Sequence, residues 1–157
     1  MGRPDTARTS ELLVTIWFLE AGWELFTPVS DLYGVDLVVR EPKSRRLLSV
    51  QVKHKEPGAL NEGRLSNDWV NKAPPFDYLV FIVPINFRVL VLPKEALNKS
   101  GKTFDFYKKD SKKHSCGPVR PCYSQYAIEL GDEKPELRSL RFIEFFSKVH
   151  ASRTSAS

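Results

Sequence analysis

Gly34-Val35-Asp36-Leu37-Val38-Val39-Arg40 and Leu47-Leu48-Ser49-Val50-Gln51-Val52-Lys53-His54, joined by Glu41-Pro42-Lys43-Ser44-Arg45-Arg46, decide how this chain folds. Two β-branched apolar runs flank a polar six-residue segment that contains a proline, which is the signature of a hairpin. Centring the turn between Lys43 and Ser44 sets Asp36 directly opposite Gln51. Side chains directly opposed on an antiparallel pair have Cβ atoms only ~4.5–5.5 Å apart. Leu48, Val50 and Val52 then share one face of the return strand and are expected in a core, with Gln51 and Lys53 on the other face. A slip of one residue would exchange the two sets, so the pattern specifies the register strongly.

Outward from the hairpin, Thr6 to Ala21 reads as a helix. Asp5 is its candidate N-cap, Leu12, Leu13, Ile16 and Leu19 give the apolar spacing, and Gly22 is the stop. Trp23 to Val29 reads as a first short strand, confined or ended by Pro28. Residues 56–75 loosen into Pro, Gly and Asn, with one short helix near Leu65 to Lys72. Phe76 to Val83 and Phe87 to Leu92 read as strands around the turn Pro84-Ile85-Asn86, and Pro93 opens a short helix. Lys99 to Arg120 reads as a long basic loop, Tyr126 to Leu130 as a last strand, and Leu137 to Val149 as a packed helix. The expected domain is 3–149, with 150–157 a fraying polar tail. The order α-β-β-β-(α)-β-β-α describes an α/β sandwich around a mixed sheet.

At 157 residues, with 41% hydrophobic and 11% aromatic side chains, the chain can bury a real core and does not have the composition of a disordered protein. No apolar run approaches the ~20 residues of a spanning helix, and no leader resembles a signal peptide. The expected setting is therefore intracellular, cytoplasmic or nucleoid-associated, with no membrane partner. The net charge of +5, from 24 Lys and Arg against 19 Asp and Glu, has the sign a polyanionic partner wants. Cys116 and Cys122, with His114, make three candidate ligands at a spacing unlike that of a structural zinc site and read as ordinary loop thiols.

A carboxylate, an amide oxygen and an amine gathered on one hairpin are the groups that metal-assisted phosphodiester hydrolysis uses. A plainer reading also exists: Asp36 begins a strand, and Gln51 and Lys53 form the solvated face of a half-buried hairpin. The opposed register, the preceding helix and Glu11 on that helix together favour the chemical reading, although a Glu early in a helix also suits the macrodipole.

The element order, with Asp36 and Gln51-Val52-Lys53, resembles the PD-(D/E)XK nuclease superfamily over residues 6 to about 83. The resemblance implies a restriction-endonuclease-like αβββαβ core, a mixed central sheet flanked by helices. It implies a metal-dependent DNA endonuclease of homing, restriction or junction-resolving type, or a module that keeps the fold without the chemistry. Asp36, Gln51, Lys53 and Glu11 would be catalytic, and Asp36, Gln51, Glu11 and the Val52 carbonyl would hold Mg²⁺, for which Mn²⁺ substitutes. Gly34-Val35-Asp36 stands where Pro-Asp is common. Gln51 stands where Asp or Glu is usual, which removes one negative charge, although several branches carry Gln-x-Lys. DNA contacts are expected from His54 and Lys55 and from Lys108, Lys109, Lys112 and Lys113 near Phe104, Phe106 and Tyr107. A homodimer or higher homo-oligomer is expected, since one compact site cuts one strand.

Overall fold

The computed structural model describes residues 6–29, 34–54, 62–64, 75–83, 87–97, 103–105, 124–131 and 133–155. Helix α1 spans Thr6–Glu20 and ends where expected, at Gly22, whose φ of +80° is a left-handed conformation that suits glycine. Gly22 N–H donates to Leu19 O at 3.0 Å and Trp23 N–H to Phe18 O at 3.0 Å, the paired closure of a Schellman cap.

Strands β1 (Glu24–Phe26), β2 (Leu37–Arg40) and β3 (Leu47–His54) form an antiparallel meander. The β2–β3 register runs Leu37↔Val50 to Arg40↔Leu47, the one the apolar pattern specifies. The connecting turn closes through Glu41 N–H to Arg46 O and Arg45 N–H to Glu41 O, both 2.9 Å. After the short β4 (Glu62–Arg64), β5 (Tyr78–Val83) lies parallel to β3. Strand β6 (Arg88–Pro93) returns antiparallel to β5, β7 (Thr103–Asp105) follows, and β8 (Ala127–Glu129) pairs with β6. The main sheet is therefore mixed and six-stranded, in the order β1-β2-β3-β5-β6-β8. The final helix, α2, spans Pro135–Ser155 and opens on a proline, whose missing N–H costs nothing at that position.

Both faces of the sheet are covered. Leu48, Val50 and Val52 of β3 pack with Val14, Trp17 and Phe18 of α1 and with Phe142 and Phe146 of α2. Phe76, Leu79, Phe81, Leu90 and Leu92 form a second core on the other side. All six residues of β5 are buried, which explains why this strand reads as an uninterrupted apolar run. Helices and sheet are locked by aromatic contacts: Trp17–Phe142 at 4.9 Å, Phe18–Phe146 edge-on at 5.1 Å and Tyr78–Phe146 at 4.9 Å between centroids.

Four expectations are revised or left untouched. α2 continues through Ser155, where a fraying tail from residue 150 was expected. His150 is buried, its Nδ1 2.5 Å from Tyr78 Oη, and Arg153 pairs with Glu95 at 2.6 Å and stacks 5.0 Å over the Tyr78 ring. Burial pushes the Tyr78 phenol above its ordinary pKa, and the adjoining Arg153 partly offsets this. Within the supposed loop 99–120, Thr103–Asp105 forms β7 and pairs antiparallel with β4 in a separate two-stranded sheet. The helical face of α1 is also different: Leu12, Ile16 and Leu19 point to solvent, and Val14, Trp17 and Phe18 point inward. The short helix expected near 65–72 and the two cysteines lie outside the described residues. No helix among the described residues is long and apolar enough to cross a membrane.

Phe146 touches both helices and the sheet, so Phe146→Ala should destabilise the fold by about 3–5 kcal/mol. Val29→Ala, at a fully exposed position, should stay within about 0.5 kcal/mol. Urea unfolding followed by far-UV circular dichroism measures both.

Candidate active site

The site begins where β2 stops alternating. Leu37 and Val39 belong to the core under the helices, so period-two alternation would send Val35 there as well. Val35 instead packs with the second core. The break falls at Asp36, one step beyond the last paired residues, Leu37↔Val50. Asp36 N–H donates to Val50 O at 3.0 Å, and its carboxylate Oδ2 accepts the Val52 N–H at 2.7 Å. The carboxylate thus occupies the place between β2 and β3 that a backbone carbonyl would otherwise fill. A short bond from an N–H to an ionised oxygen is among the stronger hydrogen bonds, and it pins the carboxylate to the strand carrying Gln51 and Lys53.

Gly34 supplies the approach. Its φ of +67° is left-handed, and a Cβ there would lie 3.4 Å from Pro75 Cγ and 3.7 Å from Gln51 Oε1. The chain therefore turns tightly against the Gln51 amide, and glycine is the residue that tolerates the dihedral.

Gln51 is not on a solvated face. It is 9% exposed, and its register partner on β5, Leu79, belongs to the second core on that side of the sheet. Its Nε2 reaches Val52 O only at 3.5 Å, and its Oε1 is buried with no hydrogen-bond partner among the described residues. An orphaned buried carbonyl costs roughly 1–3 kcal/mol. Lys53, two residues on, faces the same way and is exposed. His54 is half-buried and, by alternation, faces the other side.

Glu11 is half-buried on α1, where its backbone carbonyl accepts the Thr15 hydroxyl at 2.8 Å. The helix reaches the sheet through Val14, Trp17 and Phe18. Lys55, Lys108, Lys109, Lys112 and Lys113 lie outside the described residues.

One positioning residue escaped the sequence reading. Asp77 Oδ2 accepts Ser49 N–H at 2.9 Å and Ser49 Oγ–H at 3.1 Å, and Asp77 N–H donates back to Ser49 O at 3.0 Å. These bonds tie β3 to the start of β5 two residues before Gln51. The only trace in the sequence is a lone acid between Phe76 and Tyr78 at the head of an apolar strand.

The described residues contain no group of three or more His, Cys, Asp or Glu side chains placed to hold a metal. A cation here would rest on one carboxylate and on carbonyl oxygens. That donor set fits a hard divalent ion, which takes oxygen ligands and, in the case of Mg²⁺, few of them from the protein. The unpartnered Gln51 Oε1 beside the Asp36 and Val52 groups is the observation in favour of that fit. A cavity of about 670 Å³ lies toward the Leu47–Leu48 end of β3, but it contains none of these residues. Among its polar lining residues, Asp77, Glu95, His150 and Arg153 are engaged with one another or with Tyr78 and Ser49.

Replacing an unsatisfied buried amide with an apolar side chain of similar volume removes its desolvation penalty. Gln51→Leu should therefore match or exceed the native thermal stability in chelator-containing buffer. A divalent ion that binds the folded state raises its melting temperature. Mg²⁺ or Mn²⁺ should raise the midpoint of the native chain and leave that of Gln51→Leu unmoved in differential scanning fluorimetry.

No family model matches the chain, and no curated protein matches it significantly. Solved structures do. A bacterial homing endonuclease superposes with a TM-score of 0.61 at 19% identity, covering 99% of each chain. The Holliday junction resolvase Hjc of Archaeoglobus fulgidus superposes with a TM-score of 0.51 at 18% identity, covering 80% of this chain and 93% of that one. With its mixed sheet, its helices and its β2–β3 hairpin, the chain shares its fold with this homing endonuclease and this junction resolvase.

Proposed function

We propose that the chain is a metal-dependent DNA endonuclease. The observation that carries this reading is the Asp36 carboxylate fastened to Val52 N–H, beside the unpartnered carbonyl of Gln51 and two residues from the exposed Lys53. The fold it shares with a homing endonuclease and a junction resolvase supports it.

In this reading Asp36 is the principal metal ligand, Gln51 Oε1 and Val52 O complete the protein's share, and Glu11 contributes from α1 directly or through water. Mg²⁺, with Mn²⁺ as a substitute, supplies an acidified water and positive charge at the scissile phosphate. Lys53 orients the attacking water or takes up its proton, and its charge offsets that building on the phosphate oxygens. Water forms one new P–O bond as the bridging P–O bond breaks, leaving a hydroxyl end and a phosphate end. Affinity comes largely from phosphate contacts, for which His54, Lys55, Lys108, Lys109, Lys112 and Lys113 are the candidates, and so falls steeply with salt. Two copies of the chain serve the two strands of a duplex.

A second reading is favoured by one residue. Gln51 brings no charge where an acid is usual, and a ligand set with one charge fewer holds a metal less tightly. The chain would then be a nucleic-acid-binding or assembly module that keeps the nuclease fold.

Cleavage of supercoiled plasmid and of a four-way junction, with Mg²⁺ or Mn²⁺, separates the two. Asp36→Ala and Lys53→Ala should each lower the rate by about 10²–10⁴-fold while DNA binding in a mobility-shift assay persists. Salt-dependent binding by the native chain with no cutting of either substrate would favour the module.

A further inference from the structure

Helix α1 is apolar on two sides. Val14, Trp17 and Phe18 are buried in the core, yet Leu12, Ile16 and Leu19 on the outer side are 54%, 46% and 55% exposed. A helix apolar all round is normally covered all round. α2 lies on the same side of the sheet and touches α1 through Trp17 and Phe142, which leaves the outer side of α1 open. Scattered exposed leucines need no explanation, but a row of three along one helix marks an interaction surface.

The charges around this row indicate the occupant. Arg8, Leu12, Ile16 and Glu20 recur every fourth residue, all are exposed, and together they form one ridge along the helix. The ridge reads basic, apolar, apolar, acidic. Turned end for end, it is complementary to itself. A two-fold axis level with Val14 sets Leu12 against Ile16 of a second copy, and Arg8 against Glu20, at both ends. That reciprocity is what an isologous interface requires.

We propose that the outer face of α1 docks antiparallel on α1 of a second copy of this chain. Leu12, Ile16 and Leu19 form the dry centre, and two Arg8–Glu20 ion pairs close its ends. The proposal concerns assembly alone and stands whether or not the site at Asp36 cuts DNA.

Sedimentation equilibrium of the full chain, its Ile16→Asp variant and a charge-reversal set tests it. The native chain should dimerise. Ile16→Asp changes only a solvent-facing position, so it should melt like the native chain yet weaken the dimer at least about thirtyfold, as loss of a central anchor does. Arg8→Glu and Glu20→Arg each set like charges together at both ends, and each should weaken the dimer about tenfold. The double variant Arg8→Glu/Glu20→Arg restores both pairs and should recover native affinity. A native chain that stays monomeric throughout the concentration range overturns the proposal. So does a dimer indifferent to Ile16→Asp, or a double variant no tighter than its parents.

Discussion

The pairing of β3 with β2 on one side and β5 on the other is the constraint from which the remaining structure follows. β3 buries Leu48, Val50 and Val52 under the helices, and that burial sets its register, because a shift by one residue would place Ser49, Gln51 and Lys53 in the aromatic core. With the register set, Asp36 falls beside Gln51 and Val52, and its carboxylate can take up the Val52 N–H. The parallel join to β5 then brings Asp77 against Ser49, which steadies the strand just before the candidate site.

The site is built by departures from regular sheet structure. A left-handed Gly34, a break in alternation between Val35 and Leu37, and a carboxylate substituting for a backbone acceptor all fall within four residues. Beside them is an amide oxygen buried without a hydrogen-bond partner among the described residues. The orphaned amide is the departure that costs stability, and such a cost persists where the surrounding fold over-determines it. Here β3 is paired on both edges, with Val50, Gln51 and Val52 buried, so the amide is held in place. Concentration of these irregular features at one end of one hairpin is difficult to explain by packing alone and agrees with a functional role for that end.

Much of this was legible in the chain. The hairpin register, the Gly22 stop and the apolar character of β5 follow from short-range patterns, because alternation and capping are local physics. Other features were not local. Gln51 reads as a surface residue on its own strand, yet it is buried, and the same side of the neighbouring β5 carries a second core built on Phe76, Leu79 and Phe81, 25 or more positions away. The ordered end of α2 depends on Tyr78 and Glu95, and β7 exists because β4 is there to pair with it. A polar, aperiodic segment carries no sign of such partners.

The apolar positions of α1 show the division clearly. The sequence by itself determined that residues 6–20 form a helix, since apolar side chains recur at helical spacing up to a glycine stop. It did not determine which side faces in, because Leu12, Ile16 and Leu19 are as apolar as Val14, Trp17 and Phe18. Tertiary structure decided that. The large rings of Trp17 and Phe18 meet Phe142 and Phe146, and their burial removes more surface from water than the leucines' would. In the same way the sequence named Asp36, Gln51 and Lys53. Only the fold decided that the carboxylate enters the β2–β3 ladder and that the amide is buried, because both depend on strands and cores contributed from elsewhere in the chain.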